Sequence, residues 1–348
     1  MTRYLIPIWS FVLAFWCFAT PALAGPADKR LDIYWIDVEG GAATLLVTPA
    51  GETVLIDTGN PQRRDADRVL KMLGEAGMKQ IDHLIITHYH GDHYGGATLL
   101  APLISIRNLY DNGRFDNMPD NPGKAYFDLK ADAKHVVKPG DHLPLKQLDQ
   151  SSAPQLSLRF LGGKQKFIDP PADAADNATV CAAAREKERD GSDNANSLVM
   201  VVQFGGWRFY DAGDLTWNQE TRLVCPKNLV GQVDVYQVTH HGLDSSNNPL
   251  VLQSLTPRVA IMNNGTEKGC LPEVFANLKE TKSLEAIYQA HKNLRPDGAT
   301  NNVADEYVAN KERDCKGNHI KLSVAPDSKS YTVSIPANKH ERTYNTRK

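Results

Sequence analysis

Short runs of apolar and β-branched residues, broken by glycine and proline, dominate the start of the chain. Leu31 to Val38 is rich in β-forming residues and alternates in part. Ala43 to Thr48 and Thr53 to Ile56 follow, separated by turn residues at Gly40-Gly41 and Pro49-Ala50-Gly51. These runs predict a meander of short strands. Asn60-Pro61 predicts a helix start, with Asn as N-cap and Pro at the first helical position. Val69, Leu70, Met72 and Leu73 form that helix's apolar face, and Gly74 and Gly77 mark its end. Ile81 to Thr87 predicts the next strand.

Residues 95–160 mix helical and strand patterns. Residues 163–196 carry Asp169-Pro170-Pro171, an alanine-rich patch and the charged run Arg185 to Asp190, so a solvated loop or insertion is expected there. The strand pattern resumes at Ser197–Phe204 and Trp207–Asp211, a hairpin across Gly205-Gly206. A helix is predicted over Trp217–Val224 and strands over Val233–Val238 and Pro257–Met262. Helices are predicted near Glu273–Leu278 and Leu284–Ala290. Ile320–Ala325 and Ser330–Ile335 close the chain as a hairpin. Strand runs with helices interposed, in two similar halves, imply an α+β architecture with two sheets face to face and helices outside. No internal repeat and no second domain boundary is visible, so residues 25–348 are expected to form one domain.

The first 24 residues change the compartment. Arg3 precedes an apolar run from Tyr4 to Phe18, and Ala22-Leu23-Ala24 fits a small-x-small cleavage site. This is the pattern of a signal peptide cut before Gly25, which predicts a periplasmic or secreted protein without stable membrane insertion after cleavage. Cys17 leaves with the leader. Cys181, Cys225, Cys270 and Cys315 remain, enough for two disulfides with three alternative pairings. None lies in a CxxC motif, which speaks against cysteine zinc sites.

Composition is that of a globular protein, 41% hydrophobic and 23% charged, with a formal net charge of −2. That balance gives no global field for nucleic acid or anionic membrane. No lysine and arginine stripe with interleaved aromatics marks a nucleic-acid track either.

The chemistry concentrates in Thr87-His88-Tyr89-His90-Gly91-Asp92-His93, directly after an apolar strand. Imidazole and carboxylate together suit Zn²⁺, and also Mn²⁺ or Fe. Four such groups packed without metal would shift their pKa values or stay solvated.

This HxHxDH run resembles the metallo-β-lactamase superfamily, and the likeness extends along the chain. Val54-Leu55-Ile56-Asp57-Thr58-Gly59 resembles the family's first motif, whose Asp supports the site by hydrogen bonding. Tyr210-Asp211-Ala212-Gly213-Asp214 resembles the strand-end motif that supplies a bridging carboxylate. Val238-Thr239-His240-His241-Gly242 resembles the last ligand motif. With Asn196-Ser197-Leu198-Val199, the ordering is similar to the hydrolase domain of competence proteins of the ComEC/Rec2 type.

The resemblance implies a four-layer αββα sandwich and a two-zinc centre. His88 and His90 would hold the first metal. Asp92, His93 and His241 would hold the second, and Asp214 would touch both. Asp92 and His240 would be the catalytic residues, with His240 beside the substrate. Water activated on the metal would attack a phosphoester or phosphodiester, or alternatively a lactone, thioester or lactam. A non-catalytic exported module that binds metal or DNA is the third reading.

Two departures stand out. No histidine lies between His142 and His240, and Asn196 or Ser197 occupies the neighbourhood where many members place another ligand, so the first metal would be held weakly. Gly269-Cys270-Leu271-Pro272 replaces a His-Pro loop, so the substrate pocket is expected to differ. The remaining histidines, His83, His135, His142, His291, His319 and His340, are expected at the surface or in structural roles.

Overall fold

A computed structural model describes residues 28–149 and 153–347. The leader expected at residues 1–24 lies outside the described residues. Two mixed sheets form the centre. The first runs His340–Asn345, Ser330–Ile335, Ile320–Val324, Leu31–Trp35, Thr44–Val47, Thr53–Ile56, Gln80–Ile85, Ser105–Asp111, Ala133–Val136. The second runs Val308–Asn310, Ala286–His291, Val259–Met262, Val235–Gln237, Trp207–Asp211, Val199–Phe204, Leu156–Gly163, Lys166–Phe167.

Three apolar layers give the four-layer αββα sandwich. Ile33, Trp35, Leu46, Val54 and Ile56 meet Leu158, Phe160, Met200, Val202 and Phe209 between the sheets. The alternate residues Tyr34, Leu45, Val47 and Leu55 face outward and pack on Val69, Met72 and Leu73 of the helix Arg63–Glu75. On the other side, helices Trp217–Val224, Pro249–Leu255 and Pro272–Glu280 cover the second sheet. Because both faces of each sheet are covered, the strands read as continuous apolar runs with weak alternation.

Local details depart from the sequence reading. The first long helix begins at Arg63 with Gln62 at its N-cap, so Asn60 is not the cap. Asn60 instead donates its backbone N–H and its Nδ2 to Asp65 Oδ2 at 2.8 and 3.0 Å, which bends the chain before the helix starts. Leu284–Ala290 contains no helix. Ala286–His291 is a strand between two parallel neighbours, where inter-strand hydrogen bonds and burial override the helical spacing of its apolar residues. The strand His340–Asn345 was not anticipated at all.

The insertion at 163–196 is only partly solvated. Its Ala178–Cys181 turn of helix is tied to the main body by the disulfide Cys181–Cys225, while Cys270 and Cys315 are free. Its last residues, Asp193 to Asn196, are buried.

Glu220 on the helix Trp217–Val224 is fully buried and accepts the Asn248 backbone N–H at 2.7 Å. Burial pushes its carboxyl up from 4.5 to about 8. The folded chain therefore keeps a proton that the unfolded chain has released, and this group's contribution to stability falls as pH rises from about 4.5 to about 8, then levels. Denaturant titrations at pH 5, 7 and 9 are expected to show Glu220→Gln gaining stability relative to wild type as pH rises. A pH-independent difference would contradict the assignment.

Candidate metal centre

Two parallel strand pairs, one in each sheet, deliver the site. Thr53–Ile56 pairs with Gln80–Ile85, and Trp207–Asp211 pairs with Val235–Gln237. The chain leaves the end of each strand at Asp57, at Thr87 to His93, at Asp214 and at His240-His241. Residues from sequence positions far apart therefore meet at one edge of the sandwich.

Asp57 sits at a positive φ of 60° as the chain turns out of its strand. Its carboxylate accepts the Thr87 N–H and the Thr87 hydroxyl, each at 2.8 Å, and lies 2.7 Å from His93 Nδ1. This fixes the His93 ring and turns Nε2 inward, the orienting role that outer carboxylates play for metal-binding imidazoles. His90 is fixed in the same way, with Nε2 at 3.0 Å from Asp120 Oδ2, which leaves Nδ1 for a cation.

Gly213 allows Asp214 to reach the centre. Its φ is +52°, and a Cβ there would lie 2.8 Å from Thr87 Oγ1. The Asp214 N–H donates to Ser197 Oγ at 3.2 Å. His240 and His241 both have left-handed backbone, φ 55° and 54°, uncommon for two successive non-glycine residues. Strain of this kind persists where the surroundings fix a functional geometry.

Two donor groups result. Asp92, His93, Asp214 and His241 place one ligand atom each within 4.8 Å of the others, and so do His88, His90 and Asp214. Asp214 belongs to both. Its Oδ2 lies 3.2 Å from His93 Nε2, 3.4 Å from His241 Nε2 and 3.9 Å from His88 Nε2. His93 Nε2 and His241 Nε2 face each other at 3.2 Å. All six predicted ligand residues thus converge. His240 is outside both groups, with Nε2 at 3.4 Å from Asp214 Oδ2 and Nδ1 at 3.0 and 3.1 Å from the hydroxyls of Ser245 and Ser246.

Charge and burial match a divalent cation. Burial, with His93 and His90 nearby, pushes His88 well below the usual imidazole range, toward the neutral form that binds metal. Burial opposes charge on His93 as well, but Asp214, Asp57 and Asp92 override it and raise its pKa well above normal. Asp214 is fully buried, which alone would favour its acid form, yet His93, His241 and His240 hold it well below the carboxylate range. The carboxylates therefore demand positive charge at this point. His88 Nε2 is buried without any hydrogen-bond partner, an arrangement that costs free energy unless something binds it. The nitrogen and oxygen donor set fits Zn²⁺, Mn²⁺ or Fe.

Neither residue at the missing histidine position joins the centre. Asn196 donates to Asp193 Oδ1 at 2.8 Å and accepts from Gln165, and Ser197 serves the Asp214 backbone. The first donor group therefore has three members against four in the second.

Sequence reasoning missed several neighbours. Asp120 and Asp193 come from loops without a motif; Asp193 accepts the Tyr89 N–H at 2.7 Å and helps hold the His88–His93 segment. Asn194 Nδ2 lies 3.4 Å from His240 Nε2. Lys268, two residues before the altered Cys270-Leu271-Pro272, pairs with Asp92 Oδ2. His291, expected to be structural or superficial, is fully buried and lies 2.5 Å from Asp37 Oδ1, with Cys315 completing a further group of three potential ligands.

A sandwich with two sheets and a shared-carboxylate donor set at its edge defines a metal-binding αββα protein. The model of the metallo-β-lactamase superfamily matches residues 36–164. ComE operon protein 3 of Bacillus subtilis is 28% identical over 269 residues, 72% of this chain and 30% of that protein. Recombination protein 2 of Haemophilus influenzae is 24% identical over 258 residues, 74% of this chain and 27% of that protein. A UPF0173 metal-dependent hydrolase of Cupriavidus metallidurans is 38% identical over 85 residues, 23% of this chain and 26% of that protein. The matched stretches span less than a third of each relative's own length.

Proposed function

We propose that the chain is an exported metal-dependent hydrolase of phosphoester or phosphodiester substrates. His88, His90 and Asp214 would hold one ion, and Asp92, His93, His241 and Asp214 a second, with zinc the ion best matched to this donor set. Divalent ions in such a place supply Lewis acidity and make water nucleophilic at neutral pH. The observation that carries the reading is Asp214, a single buried carboxylate shared by the two donor groups. Ions held by the residues on either side of that carboxylate would supply positive charge for the oxygens of a phosphoester displacement.

The chain's own residues supply the rest. Asp57 and Asp120 fix His93 and His90. His240, held by Ser245 and Ser246 and outside the ligand groups, is kept neutral by burial, which lowers its pKa to about 4, and is placed to take a proton at Nε2 as a general base. Lys268 adds a fixed positive charge at the Asp92 side, suited to an anionic substrate. Export is supported by the leader pattern ending at Ala22-Leu23-Ala24 and by the Cys181–Cys225 disulfide, a bond that persists in oxidising compartments. Among the described residues no helix is long and apolar enough to cross a membrane. A near-neutral net charge of −2 favours small phosphodiesters over long nucleic acid.

The test is a panel of chromogenic phosphodiester, phosphomonoester, lactone and lactam substrates, with and without chelator. Phosphoester turnover abolished by chelation and restored by zinc is expected. Chelator-sensitive turnover of only the lactone or lactam would replace the proposed substrate class. Turnover of none by metal-loaded protein would favour a non-catalytic module.

A further inference from the structure

A second concave site lies on the outer face of the second sheet and shares no lining residue with the metal centre. It is a cavity of about 680 Å³. Its floor follows from strand register. Gln203 is paired with both Ser157 and Arg208, and Val201 with Arg159, so side chains from three adjacent strands share one face. Their neighbours Leu158, Val202 and Phe209 point the other way, into the inter-sheet core. The walls come from residues 171–177 of the insertion and the turn 228–232. The disulfide Cys181–Cys225 joins the two segments that carry these walls.

Two guanidinium groups line this cavity, Arg159 and Arg208. Their strands flank Val199–Phe204, so about 10 Å separates the two backbones, within reach of two long side chains converging on one ligand. Arg208 donates Nη2 to the Val230 carbonyl at 2.6 Å, and its Nε is buried without a partner. Arg159 Nε is likewise buried without a partner, and so is Thr256 Oγ1 on the same cavity wall. Asp234 acts on Arg208 through space, but its oxygens accept the backbone N–H groups of Arg208 and Arg347. Asp173, an exposed side chain at the wall, is the only carboxylate lining the cavity among the described residues. The rest of the lining is rich in hydroxyl and amide groups, including Ser157, Gln203 and Gln253.

We propose that this cavity is a binding site for a small hydroxylated phosphate, of the sugar-phosphate class. Arg159 and Arg208 take the phosphate, because guanidinium forks match its oxygens. The hydroxyl and amide groups take the sugar. The volume falls within the range of small-molecule sites. The site stands apart from the hydrolytic centre, so its occupant need not be the substrate.

Isothermal titration of the zinc-loaded protein with glucose 1-phosphate tests this, with glucose and inorganic phosphate as further arms. Saturable binding is expected, weaker for inorganic phosphate and absent for glucose. Arg159→Gln is expected to weaken it at least about tenfold, as for loss of a charge-assisted hydrogen bond. Gln203→Glu, at an exposed position between the two arginines, is expected to abolish it and keeps the test valid if the arginine variant fails to fold. Asp214→Asn is expected to leave binding unchanged. The proposal is overturned by absence of saturable binding to wild type. It is equally overturned by binding that Asp214→Asn removes while Gln203→Glu leaves intact, since the phosphate would then sit at the metal centre.

Discussion

Asp214→Ala is expected to strip the protein of metal at both positions and to lower kcat/KM for a phosphodiester by about a thousandfold or more. The reason is electrostatic. Oδ2 of Asp214 faces His93, His241, His240 and His88 at 3.2 to 3.9 Å. Removing it leaves imidazoles and prospective cations facing one another in a buried space, with Asp92 the only carboxylate left in the two donor groups and Asp57 and Asp120 behind His93 and His90. Metal analysis of protein dialysed against trace zinc reads the first effect and steady-state kinetics the second. The fold is expected to survive, because the position is fixed through backbone bonding to Ser197 and the left-handed Gly213 rather than through the carboxylate. Circular dichroism checks that point. Retention of two ions by the alanine variant would remove the basis for a shared carboxylate.

Much of this centre was legible because its ligands sit in runs bounded by strands. His88, His90, Asp92 and His93 fall within one loop, and Asp57, Asp214 and His241 each follow an apolar strand that sequence pattern marks well. The outer partners were not legible. Asp120 and Asp193 sit in loops whose course is fixed by tertiary contacts, and nothing local distinguishes their carboxylates from solvated ones. The same limit explains the Ala286–His291 strand, whose neighbours are supplied by residues 259–262 and 308–310. Asn196 illustrates the converse. Its place in the sequence suggested a weak ligand, but Asp193, only three residues earlier, captures its amide.

Adjacent histidines give the sharpest separation of roles. His241→Ala is expected to lose the ion shared by Asp92, His93 and Asp214, and activity with it. His240→Ala is expected to keep wild-type metal content while kcat falls by about 10²- to 10³-fold, the usual range for a general acid or base. The geometry draws this line within one turn. His241 is fully buried and its Nε2 lies 3.2 Å from Asp92 Oδ2 and from His93 Nε2, inside the four-member group. His240 shares the strained backbone, but its ring is held by Ser245, Ser246 and Asn194. Equal metal loss in the two variants would place both rings among the ligands and take the base role away from His240.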